Sequence, residues 1–96
     1  MQDVAVDFLR RVRSIIEAAE RGLVTEDDLS AGRNSMNELL EQDWVMPRAV
    51  SDVSIHWRLI EDSLRTILKG KADAQTSTAA WTAYRHIEDV FTDEQQ

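Results

Sequence analysis

The chain has 96 residues, 43% apolar and 30% charged, with a net charge of −7. That length supports one domain and leaves no room for a second core. The lack of cysteine excludes disulfides, thiolate metal sites and a cysteine nucleophile. The acidic balance opposes direct contact with nucleic acid or anionic lipid and suits a basic protein partner.

The first predicted helix covers about residues 3–21. Val4, Ala5, Phe8, Leu9, Val12, Ile15, Ile16, Ala19 and Leu23 recur at helical spacing on one stripe. Asp3 and Asp7 complement the positive end of the helix dipole, and Gly22 follows Arg21 as a C-cap. Arg10, Arg11 and Arg13 form a basic cluster, but Asp7 and Glu17 stand at helical spacing beside them, as on a solvated face.

A second helix is expected over about 25–44. Thr25 and Asp28 have the spacing of a capping box. The stripe is Leu29, Gly32, Met36, Leu39 and Leu40, with Trp44 one turn further. Glycine within a helix costs up to about 1 kcal/mol against alanine. On the apolar stripe, Gly32 would let a neighbouring helix approach closely. Pro47 forces the helix to stop before it, since the residue preceding proline is pushed out of the α region.

The third helix is predicted over about 47–69. Val50, Val53, Trp57, Ile60, Leu64 and Ile67 make a coiled-coil-like seam, and Ile55 and Leu59 lie outside it. Arg58, Glu61, Asp62, Arg65 and Lys69 fill the remaining arc. Such a helix is either central in a bundle or shared with a second subunit. Its start has two readings. Pro47 fits the first helical position, with Val45 and Val50 at hydrophobic-staple spacing and Met46 as a poor cap. Alternatively Ser51 or Asp52 caps a helix that starts later, or the helix breaks there.

After a loop in which Gly70 caps the third helix, a fourth is expected over about 77–91, capped by Thr76, Ser77 or Thr78. Its stripe is Ala80, Trp81, Tyr84, Ile87 and Phe91; residues 92–96 read as a polar tail. The predicted fold is therefore all-α, a small antiparallel four-helix bundle formed by residues 1–96 as a single helical domain. A core this small, with one helix so broadly apolar, favours a homodimer.

No run approaches the roughly 20 apolar residues of a membrane span. The opening MQDVAVDFLRR is acidic where a secretory leader is basic, so a cytoplasmic location is expected. Nine Arg against two Lys suggests a GC-rich bacterial or phage genome.

Asp52 precedes His56 by one turn and Asp89 follows His86 by three residues, the spacing of an oriented base or of an ordinary surface pair. Neither histidine is tied by sequence to a nucleophile. No Glu-x-x-His, calcium loop, G-x-G-x-x-G or P-loop occurs. The expectation is no catalytic residue, no metal and no cofactor.

The leading expectation is a regulatory or adaptor protein acting by protein–protein contact through Trp44, Val45, Met46, Ile55 and Leu59, since Trp and Met are enriched in interface cores. The alternative is an acidic inhibitor of immunity or anti-defence type. It would present Glu26, Asp27, Glu38 and Glu41 to a basic nucleic-acid-handling protein, as a nucleic-acid mimic does. Residues 25–43 are net −5 and residues 72–96 net −4, which locates the acidity on the second and fourth helices.

Overall fold

The computed structural model describes residues 2–94. Four helices account for the architecture: α1 (Asp3–Glu20), α2 (Glu26–Leu40), α3 (Pro47–Leu68) and α4 (Ala74–Glu94). Among the described residues there is no strand.

Helix ends follow from local chemistry. α1 and α3 both stop in Schellman motifs. Gly22 (φ 73°) and Gly70 (φ 72°) take the left-handed conformation. The N–H of Gly22 donates to Ala19 (3.0 Å) and that of Leu23 to Ala18 (2.8 Å). Gly70 and Lys71 repeat this on Ile67 (3.0 Å) and Thr66 (3.1 Å). The sharp turn after α1 takes Leu23 off the predicted stripe. It is exposed, and Val24 enters the core in its place.

The capping box of α2 is complete: Thr25 Oγ1 accepts from the N–H of Asp28 (3.2 Å), and Asp28 Oδ2 accepts from that of Thr25 (2.9 Å). This helix ends at Leu40 rather than near 44. The side chain of Gln42 takes the carbonyl of Glu38 (3.2 Å), and Gln42 and Val45 donate to Leu39 and Gln42 in tight turns (3.1 Å each). Trp44 therefore stands in the corner, not in a last helical turn.

α3 starts at Pro47 and continues unbroken through Ser51 and Asp52. Met46 is extended (φ −70°, ψ 148°), as proline demands of its predecessor, and its side chain caps nothing. Its carbonyl accepts from Val50 (3.1 Å).

α4 begins three residues earlier than expected because Asp73, not Thr76, Ser77 or Thr78, is the cap. Its Oδ1 accepts from the N–H groups of Gln75 (2.9 Å) and Thr76 (3.1 Å), and Thr76 Oγ1 accepts from the N–H of Asp73 (3.2 Å). Helix also continues through Thr92 to Glu94, where a polar tail was expected; residues 95 and 96 lie outside the described residues.

Successive helices run antiparallel. Arg65, near the end of α3, reaches Glu26 at the start of α2. His56 of α3 meets His86 of α4. Glu20, ending α1, accepts from Ser77 and Trp81 in the first turns of α4. α1 and α3 form the diagonal, with Phe8 tilted against Trp57 (centroids 6.5 Å apart). Phe8, Val12, Ile16, Leu29, Leu39, Val53, Ile60, Leu64, Ile87 and Phe91 fill the centre. Helices α1, α2 and α3 converge at Gly32. A methyl group there would collide with the ring of Trp57 and come within 3.2 Å of Ile15 Cδ1, so the glycine sets the closeness of α2 to its neighbours. No helix among the described residues is long and apolar enough to cross a membrane.

Candidate functional site

The bundle separates the five residues expected to hold a partner. Val45 is buried in the core, since the corner turns it inward beside the first turn of α3. It is thus a structural residue and offers no surface. Trp44 is half-buried, its ring edge-on to Phe91 of α4 with centroids 6.1 Å apart. That contact closes the α2–α3 corner over the end of α4. Met46 is 59% exposed. It forms the lip of an open groove of about 590 Å³ between the start of α3 and the last turns of α4, lined also by Arg48, Asp52, His86, Asp89 and Val90.

Ile55 and Leu59 form a different surface. They are one turn apart and 58% and 49% exposed. The buried apolar residues of α3, Ala49, Val53, Trp57, Ile60 and Leu64, lie on the opposite side of the helix. The third helix therefore touches all three others and still turns two large aliphatic side chains to solvent. Arg48, Ser51, Arg58 and Asp62 complete this outward face, all exposed. Among the described residues, no salt bridge holds Arg48, Asp52, Arg58 or Asp62.

The acidic residues are also divided. Glu26 is exposed but engaged, its Oε2 accepting from Arg65 (3.1 Å). Asp27 and Glu38, eleven residues or about three turns apart, share one side of α2. Glu41 follows at its C-cap. These three are exposed and, among the described residues, outside any salt bridge.

Two arrangements escape sequence reasoning. First, Glu61, placed by periodicity on the charged arc of α3, is 5% exposed. Its carboxylate receives Arg33 of α2 and Arg65, the latter at 2.7 Å, one turn along its own helix. Arg65 also binds Glu26, and these carboxylates hold its guanidinium above its ordinary value, Glu26 contributing most. The Glu61–Arg65 spacing was visible in the sequence; the arrival of Arg33 was not.

Second, the two imidazoles stack on each other, centroids 3.8 Å apart and planes 9° apart. His56 Nδ1 donates to the carbonyl of Asp52 (2.7 Å). The histidines thus meet each other rather than the carboxylates of the aspartates at helical spacing. His86 does line the groove with Asp52 and Asp89. Among the described residues, no group of three or more His, Asp or Glu converges as a metal site.

At the other end of α4, Glu20 accepts from Ser77 Oγ (2.5 Å) and Trp81 Nε1 (3.1 Å). These bonds hold its carboxyl below the usual range, Ser77 contributing most. Trp81 stands edge-on to Tyr84 (5.6 Å) over a shallow recess flanked by Arg13 and Arg85. Burial, more than the nearby Glu88, pushes the Tyr84 phenol up.

Comparison of the chain with protein-family models, with curated proteins and with solved structures gives no match.

Proposed function

We propose that this chain is a non-enzymatic regulatory or adaptor protein that works by protein–protein contact, with the outward face of α3 as its contact surface. The observation that carries this reading is the pair Ile55 and Leu59. Both are large aliphatic side chains, more than or about half exposed, on the middle of a 22-residue helix whose other side is locked in the core. A rigid helix presenting i, i+4 apolar anchors has the geometry of helix-in-groove and helix-on-helix recognition. Ordering entropy is already met by folding, so little is lost on binding. Met46, on the separate α4 groove, lies about 13 Å along the helix from Ile55 and can contact only a partner that wraps that end.

The test is site-specific photocrosslinking in the source cell. Probes at positions 55 and 59 should give discrete adducts, and a probe at the exposed Ser30 on α2 should not. Equal labelling at all three positions, or none at 55 and 59, overturns the reading.

A second reading is favoured by one observation. Asp27, Glu38 and Glu41 present carboxylates that no cation of the described chain neutralises. They suit a basic partner, as in an inhibitor of a nucleic-acid-handling protein. That complex would weaken steeply with salt. Unchanged affinity after charge reversal at these three positions excludes it.

A further inference from the structure

We infer that the occupant of the outward face of α3 is a second copy of this chain, docked antiparallel about Ile55. The inference rests on reading that face as a protein-contact surface and goes further by naming what covers it. Charge complementarity carries the argument. Arg48, Ile55 and Asp62 are successive members of a seven-residue repeat, two helical turns apart and nearly in line. A positive charge therefore lies two turns to one side of the apolar centre and a negative charge two turns to the other. A helix with that pattern is complementary to itself reversed.

The possible registers differ sharply. A parallel pairing sets Arg48 against Arg48 and Asp62 against Asp62. An antiparallel pairing of Ile55 with the partner's Leu59 brings Arg48 level with the partner's Thr66 and leaves it without an acid. An antiparallel pairing about Ile55 sets Arg48 against the partner's Asp62, Arg58 beside the partner's Ser51, and Leu59 beside the partner's Asp52. Two-fold symmetry repeats the ion pair, giving two opposite-charge pairs that flank an apolar centre. Neither Arg48 nor Asp62 has an ion-pair partner in its own chain among the described residues. The face is also locally neutral, although the whole chain carries −7, so the long-range repulsion between copies does not originate there. It presents seven residues a side, fewer than the roughly 20–30 of a standard interface, so the expected association is a reversible one.

Sedimentation equilibrium of the purified chain from about 5 to 500 µM tests this. The expected result is a reversible monomer–dimer equilibrium abolished by Ile55→Glu, with helical circular dichroism unchanged because the side chain is outside the core. Arg48→Asp and Asp62→Arg should each weaken dimerisation about tenfold, since each reversal acts twice in a two-fold dimer. Combined, they should restore it. The single Asp62→Arg change is the sharpest control. It lowers the net negative charge, so if only overall repulsion mattered it would strengthen association. Because the chain has no cysteine, Ile55→Cys should form a covalent dimer on oxidation and Ser30→Cys should not. A monomer across the whole range, a dimer indifferent to Ile55→Glu, or failure of the double reversal to restore association overturns the inference. A monomer that still gives heterologous photoadducts at 55 and 59 overturns the second copy alone. A monomer without those adducts overturns the contact surface as well.

Discussion

His56 of α3 and His86 of α4 lie face to face, ring centroids 3.8 Å apart and planes within 9° of parallel. The stack fastens the most extensive helix–helix interface of the bundle near its midpoint. An aromatic pair of this kind is worth about 0.5–1.5 kcal/mol beyond its area, and the exposure of His86 places this one near the lower bound. A double-mutant cycle with His56→Ala and His86→Ala should therefore show a coupling of about 0.5 kcal/mol at neutral pH, measured by urea unfolding. Strict additivity would mean that the rings merely coincide.

Glu61 supplies a second measurable coupling. Arg33→Ala or Arg65→Ala alone leaves the buried carboxylate one cation, and both guanidinium groups are substantially exposed. Each single change should cost under about 1 kcal/mol. The double change strands a buried charge and should cost about 3 kcal/mol, well beyond the sum. Glu61→Leu, which removes the charge and fills the space, should come close to wild-type stability. A loss as large as that of the double arginine variant would contradict this account.

Gly32→Ala should destabilise the protein although alanine is the better helix former. Propensity favours the substitution by at most about 1 kcal/mol. The added methyl meets the rigid indole of Trp57, and overpacking of that kind costs about 1–3 kcal/mol. Pairing it with Trp57→Phe should recover part of the loss. That second change also removes an indole N–H that is buried without a hydrogen-bond partner. A Gly32→Ala variant that melts higher than wild type would refute the close approach.

The start of α4 should be its acid-sensitive end. Asp73 and Glu20 both have carboxyls held below the usual range, Asp73 chiefly by the N–H of Gln75 and Glu20 chiefly by the hydroxyl of Ser77. A depressed folded-state value means stability that is fully present above the unfolded value, about pH 4, and lost as pH falls through the folded one. Glu20→Gln should lower the melting temperature at pH 7, and the gap from wild type should close as pH falls below about 4. A gap that is constant with pH would show that the carboxylate charge contributes nothing.

Much of this architecture was readable in the chain. The α1 stripe, the Thr25–Asp28 box, the glycine stops and the close approach at Gly32 are local or periodic features, so spacing alone reveals them. Asp73 was passed over because three hydroxyl residues follow it closely, and the better acceptor lay just upstream. The burial of Glu61 and the His56–His86 stack depend on how far each helix is rotated and slid against a neighbour 28 or 30 residues away. Periodicity within one helix carries no information on that. The candidate face was half legible: Ile55 and Leu59 followed from the seam they leave, while Val45 looked like surface until the corner turned it inward.

The placement of the three tryptophans has a spectroscopic consequence. Trp57 is sealed at the convergence of α1, α2 and α3; Trp44 seats the α2–α3 corner on α4; Trp81 lies where α1 meets α4, its indole bonded to Glu20. Each junction of the bundle thus has its own intrinsic fluorophore. Variants retaining one indole each would report on separate junctions, with Trp57 emitting furthest to the blue. Superimposed transitions from all three would mark a single all-or-none unit, and a Trp81 signal that moves first would mark α4 as the helix that leaves.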